Sequence, residues 1–186
     1  MSECGEFPLQ LARIVQCGDS GCFEREVFMA KAASPVPKGL HTITPQLTLD
    51  NAAKTLDWYQ QAFGAKEIYR SLGPDGKVMH AEVHIGDSVF YANDVMMGKG
   101  PKDFGGSPAG FWLYVADSDA LFKRAVDAGA KIAMPMEDQF WGDRAALVTD
   151  PAGYNWWIAT RKEDLSEVEL RQRADAHFAK LAQLSK

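Results

Sequence analysis

The sequence predicts an α+β fold built from two tandem βαβββ modules, and three observations lead to it. The order strand, helix, glycine stop, strands occurs twice, in TITPQLTLDNAAKTLDWYQQAFGAKEIYR from Thr42 and in GFWLYVADSDALFKRAVDAGAKIAMP from Gly110. The tripeptide Gly-Ala-Lys closes the helix of each copy, at 64–66 and again at 129–131. The strands alternate apolar with polar residues, as sheets with one buried and one open face do. Two such modules leave a cleft between them, and the function is expected there.

The first strand runs from Thr42 to Leu49, with Ile43, Pro45, Leu47 and Leu49 on one face and Thr42, Thr44, Gln46 and Thr48 on the other. The apolar face must meet a helix, so the Thr/Gln face looks into the cleft or solvent. Asp50 or Asn51 caps the next helix, whose Ala52, Leu56, Tyr59 and Phe63 recur at helical spacing before Gly64 stops it. Two strands follow, divided by the turn Gly73-Pro74-Asp75-Gly76. In the second of them, Met79, Ala81, Val83 and Ile85 alternate with His80, Glu82 and His84, and a fourth strand runs from Asp87 to about Asn93. In the second module a strand at Phe111–Val115 leads to a cap at Asp117 or Ser118 and a helix bearing Leu121, Phe122, Ala125 and Val126. After Gly129 come a short strand, the stretch EDQFWGDR, a strand from Ala145 to Thr149, the turn Asp150-Pro151-Ala152-Gly153 and a last strand from Tyr154 to Thr160.

This divides the chain into an N-terminal extension (1–38), a single domain (39–162, with modules at about 41–94 and 109–160) and a C-terminal amphipathic helix (163–186). The extension ends in the linker-like ASPVPKG and reads either as a mobile segment or as a short helix around Leu9 to Val15. Met29 offers an alternative start directly before the first module. At the other end, Ser166 and Glu169 form a capping box ahead of Leu170, Ala174, Phe178 and Leu181. An amphipathic helix with no place in either module lies against its own sheet or against a second subunit.

Composition narrows the class of function. With 186 residues, 46% apolar and 24% charged, the chain buries a core of its own. A net charge of −5 without a basic stripe argues against nucleic-acid and anionic-membrane partners. Cys4, Cys17 and Cys22 are odd in number and lie outside the repeat, which fits a reducing cytoplasm and no disulfide framework. A zinc pair at Cys17 and Cys22 has no further ligands nearby to complete four. Glu3 and Glu6 stand where a secretory signal would carry positive charge. The glycines from Gly98 to Gly106 lack the spacing and the strand-to-helix setting of a phosphate loop.

The motifs TITPQLTLDNAAKTLDWYQQAFGA, HAEVHIGDS, EDQFWGDR and DPAGYNWWIAT, in this order over roughly residues 40–162, resemble the vicinal-oxygen-chelate superfamily. More narrowly, they look like its PhnB-like glyoxalase/bleomycin-resistance branch. Metal-dependent members of the superfamily place His or Glu ligands on the cavity faces of the first and last strands of each module. The resemblance carries those places onto Thr44, Tyr91, Gly110 and Trp157, none of which suits a divalent metal. It therefore implies the fold and a cofactor-free cleft, and weakens the expectation of metal-assisted chemistry. Frequent dimers in the family imply a homodimer.

Two readings of the cleft follow. His80, Glu82 and His84 share a strand face, but His80 and His84 are roughly 13 Å apart, too far for one ion. This leaves His80 and Glu82 as a pairwise metal or acid–base site for a glyoxalase-like lyase, an isomerase or a dioxygenase. By strand parity Tyr91, Trp112, Tyr114 and Trp157 line the cleft, with Phe140 and Trp141 in a nearby loop. These rings, with Thr44, Gln46 and Arg144, suit a small planar or heteroaromatic molecule, whose anionic substituent Arg144 would meet. Metal-free binding of such a molecule is the preferred reading.

Overall fold

The computed structural model describes residues 9–18, 21–30 and 32–184. The chain divides into one unit spanning Met1–Ile43 and another spanning Thr44–Lys186. In the first unit, β1 (Leu9–Gly18) and β2 (Gly21–Ala30) form an antiparallel pair in continuous register from Leu9 opposite Ala30 to Gly18 opposite Gly21. A helix over Leu9 to Val15 is thus corrected to strand. The run contains β-branched Ile14 and Val15, residue types that favour an extended backbone. Cys4, Glu3 and Glu6, and the side chains of Cys17 and Cys22, lie outside what is described.

The second unit holds both modules. The first comprises β3 (Gln46–Leu49), α1 (Ala52–Phe63), β4 (Lys66–Leu72), β5 (Val78–Ile85) and β6 (Ser88–Asp94). The second comprises β7 (Gly110–Tyr114), α2 (Ser118–Asp127), β8 (Lys131–Asp138), β9 (Asp143–Thr149) and β10 (Asn155–Arg161). Each builds a four-stranded sheet of the same design, β3-β6-β5-β4 and β7-β10-β9-β8. In each, the first strand runs parallel to the last and the other pairs are antiparallel.

The helix signals act as the sequence reads. Asn51 accepts from the Lys54 backbone N–H at 3.0 Å, and Asp117 accepts from that of Ala120 at 2.9 Å. Gly64, at φ 70°, ends α1 in the left-handed region, where its N–H and that of Ala65 bond back to Gln60 and Tyr59. The segment from Gly98 to Gly106 makes a short 3-10 turn at Pro101–Phe104, and its Asp103 accepts from the Gly100 N–H. One strand departs from simple alternation. A register shift between Ser71 and Leu72 pairs Leu72 with Val78, so that Val78 is fully buried and Met79 is 45% exposed, against the expectation of Met79 on the core face.

The modules share one core behind their sheets. Tyr59 and Phe63 of α1 pack with Phe90 of β6, Phe111 of β7 and Trp156 of β10, with ring centroids 4.8–6.3 Å apart. Asp150 sits within this core and accepts from the Tyr59 hydroxyl at 2.7 Å, from Trp156 Nε1 at 2.9 Å and from the backbone N–H groups of Ala152 and Tyr154. A second buried aspartate, Asp94 at the end of β6, accepts from the N–H groups of Ala52 and Val78, both at 2.7 Å. The helices also cap one another. Trp58 Nε1 of α1 donates to the Ala128 carbonyl at the end of α2, and Arg124 of α2 donates to the Ala62 carbonyl at the end of α1.

Helix α3 (Glu167–Leu184) starts at the expected capping box: the Ser166 N–H and hydroxyl donate to Glu169, and the Glu169 N–H donates to Ser166 Oγ. Leu170, Phe178 and Leu181 on this helix are exposed.

Candidate functional site: two open sheet faces

Strand parity gives each sheet a buried back and an open front. In module one the front carries Gln46, His80, Glu82, His84, Tyr91 and Asn93, while Leu47, Ala81, Val83, Phe90 and Ala92 fill the back. Gln46 donates to Asn93 at 2.8 Å, which fixes two amides side by side. The His80 ring lies 4.7 Å from Tyr91 and 6.2 Å from Tyr69. Glu82 bonds His84 Nε2 at 3.1 Å, so the structure joins Glu82 to His84 where the sequence reading paired it with His80. Thr44 precedes β3, since the first strand begins at Gln46 rather than at Thr42.

The front of module two is aromatic. Trp112 and Trp157 are registered partners on β7 and β10, and their indoles stack 4.8 Å apart at 8°. Tyr114 lies parallel to Trp112 on its own strand, with centroids 5.9 Å apart at 18°. Trp141, in the loop between β8 and β9, stands edge-on to both indoles, at 73° to Trp112 and 81° to Trp157. Trp112 and Tyr114 remain 44% and 59% exposed, so the row of rings is open on one side. Phe140 meets Trp141 at 5.0 Å and reaches His177 and Phe178 of α3.

The loop that carries Trp141 is held by its neighbours. Gly142, at φ 92°, passes so close to the chain at 162–163 that a Cβ there would come within 2.8 Å of the Glu163 carbonyl oxygen. The Gly142 carbonyl accepts from both the Lys162 and Glu163 N–H groups. Asp143 follows directly, with a side chain of 0% exposure. Its Oδ2 accepts from the Tyr114 hydroxyl and from Trp141 Nε1, both at 3.0 Å, and its Oδ1 accepts from Arg161 Nη1 at 3.3 Å. Burial pushes the Tyr114 hydroxyl above its ordinary value, and the hydrogen bond to Asp143 adds to the shift.

Arg144 does not join these rings. It alternates with Asp143 along β9 and makes a two-pronged contact with Asp119 of α2 at 2.7 Å, plus a longer one to Asp138. Those bonds raise the guanidinium's pKa and lower that of Asp119. The guanidinium on the aromatic front is Arg161, registered opposite Asp143. The sequence reading leaves out Asp143 because it begins β9 at Ala145, and Arg161 because it ends the last strand at Thr160. Counting back in twos from Leu147, the registered partner of Trp157, arrives at Asp143.

Pro45 and Leu47 of module one and Phe111, Leu113 and Trp156 of module two border a cavity of about 200 Å³ between the modules. Of the expected ligand-binding residues, only Trp112 borders it. The four places that the resemblance assigns to metal ligands offer a threonine hydroxyl, a phenol, a glycine and an indole, a donor set that does not fit a divalent ion. Among the described residues, no three His, Cys, Asp or Glu side chains are grouped to hold one.

Matching module for module, Tyr91 pairs with Gln46 as Trp157 pairs with Trp112. The model of the Glyoxalase/Bleomycin resistance protein/Dioxygenase superfamily matches residues 39–158. The chain belongs to this superfamily. Among curated proteins it is similar to the uncharacterized protein Rv0887c of Mycobacterium tuberculosis (strain ATCC 25618 / H37Rv), 41% identical over 135 residues, which cover 68% of this chain and 79% of the relative. Among solved structures of the superfamily's fold, the Arabidopsis thaliana gene product At5g48480 aligns with a TM-score of 0.54 and 28% identity, covering 66% of this chain and 99% of that one. A protein from Bacillus cereus, described as a putative 3-demethylubiquinone-9 3-methyltransferase, PhnB protein, shares the fold at TM-score 0.51 and 15% identity, over 64% of this chain and 99% of that one. No helix among the described residues is long and apolar enough to cross a membrane.

Proposed function

We propose that this superfamily member, of the PhnB-like kind, binds a small planar aromatic molecule on the front of module two without using a divalent metal. The observation that carries this reading is the parallel Trp112/Trp157 pair, extended by Tyr114 and bordered edge-on by Trp141. Stacked rings standing on a rigid sheet are already ordered, so little conformational entropy is lost when a further ring joins them. Gln46 and Asn93 supply hydrogen-bonding groups on the other module's front. Arg161 replaces Arg144 as the cation on the aromatic side. The protein acts as a cytoplasmic homodimer, with the exposed Leu170, Phe178 and Leu181 of α3 available to a second copy.

The test uses acridine, a fluorescent planar heteroaromatic, titrated at pH 8 with and without EDTA. Saturable binding that EDTA leaves unchanged and Trp157→Ala weakens about tenfold or more is the expected result. Binding that requires added zinc, nickel, manganese or ferrous iron would overturn it.

A second reading has one observation in its favour. Glu82 and His84 form a carboxyl–imidazole pair beside His80, the arrangement an acid–base catalyst needs for lyase, isomerase or dioxygenase-like chemistry. On that reading His80→Ala and Glu82→Gln abolish turnover of a glyoxalase-type substrate, such as the hemithioacetal of methylglyoxal and glutathione, and leave the fold intact. Equal turnover in wild type and both variants would remove it.

A further inference from the structure

We propose that Asp143 is a positioning residue for the aromatic face, setting Trp141 across the open side of the Trp112/Trp157 pair and thereby selecting flat ligands. The inference rests on the aromatic-ligand reading above and adds what determines its selectivity. An indole in a loop has several rotamers open to it, yet this one is perpendicular to two others. Its direction comes from the 3.0 Å bond between Nε1 and Asp143 Oδ2.

The same oxygen accepts from Tyr114, so one atom registers the loop against the ring row of β7. Arg161 occupies the other oxygen and Gly142 clamps the loop from behind, which leaves Asp143 little freedom of its own. Asp143 is shielded completely from solvent, and no water competes for its acceptors. With the edge of Trp141 fixed above the stack, a thin ring system can slide beside the indoles. A puckered or bulky one meets that edge first.

The experiment compares Asp143→Ala, Asp143→Asn, Trp141→Phe and the double variant D143A/W141F. Acridine affinity is expected to fall about tenfold in Asp143→Ala and to return to within about threefold of wild type in Asp143→Asn, whose carbonyl oxygen can still accept from Trp141 and Tyr114. In the Trp141→Phe background, Asp143→Ala is expected to add little, because both changes break one contact. Acrylamide quenching of tryptophan fluorescence reads the same contact without a ligand. It should rise in Asp143→Ala over wild type and stay level between W141F and D143A/W141F.

Equal increments from Asp143→Ala in both backgrounds, in affinity and in quenching, would overturn the proposal and leave Asp143 a general stabiliser. If Asp143→Ala does not fold, Trp141→Phe decides, since it keeps an aromatic ring in the loop and removes the donor to Asp143. Wild-type acridine affinity in Trp141→Phe would then count against the positioning role. If the wild type binds no acridine, the aromatic-ligand reading fails, while the quenching cycle still decides whether Asp143 holds Trp141.

Discussion

The two modules have the same backbone and opposite fronts. Behind each sheet the pattern is repeated, down to the side chain near the end of the last strand that accepts from the first N–H of the helix, Asp94 from Ala52 and Thr160 from Ser118. In front, equivalent positions have diverged: Gln46 and Tyr91 in one module stand where Trp112 and Trp157 stand in the other. The back of a duplicated module is constrained by packing, where a change of one methylene is felt. The front touches only what enters the cleft, so the chemistry that differs there is the chemistry available to a ligand.

The largest expected effect lies behind the sheets. Asp150→Ala strands the Tyr59 hydroxyl, the Trp156 indole N–H and two backbone N–H groups, and should cost about 3–5 kcal/mol in urea unfolding. Asp94→Ala strands two backbone donors and should cost about 2–3 kcal/mol. Equal losses would mean that Tyr59 and Trp156 find other partners and that the modules are tied less through Asp150 than its bonds indicate.

Alkaline pH sharpens the same point. Burial, with Asp150 adjacent, raises the Tyr59 hydroxyl well above its ordinary 10.0. The folded state then keeps a proton that the unfolded state gives up, so this contribution is complete below about pH 10 and is lost as pH rises toward the folded value. Unfolding free energy should fall between about pH 10 and 11, and less steeply in Tyr59→Phe. A parallel decline in the variant would assign the effect to other tyrosines.

Most of the back was legible in the sequence and much of the front was not, for a physical reason. Alternation and capping are local, so α1, the Asp117 cap, the Ser166/Glu169 box and the face pattern of β3 can be read from spacing alone, while the start of β3 at Gln46 cannot. Register shifts are decided by the partner strand, which is why Met79 was placed on the wrong face. Hydrogen bonds between side chains distant in sequence leave no periodic trace. Arg144 is expected to meet a ligand, but Asp119, 25 residues earlier, holds it, and nothing in the spacing signals that contact. The donors to Asp143 come from β7, a loop and β10, so its role is likewise invisible in the local sequence.

A smaller effect concerns α3. Ser166→Ala removes the capping box and should cost about 1 kcal/mol of helix stability, seen as a loss of far-ultraviolet ellipticity on warming, with the two modules unaffected. A drop in acridine affinity in this variant would show that α3, through His177 and Phe178 against Phe140, also supports the aromatic front.

The most direct test of the account titrates acridine, in the presence of EDTA, into wild type and into Trp157→Ala and Tyr91→Ala, the equivalent substitutions on the two fronts. The account predicts a loss of about tenfold or more for Trp157→Ala and of less than about threefold for Tyr91→Ala. Equal losses, or a larger one at Tyr91, would contradict the assignment of the binding surface to module two.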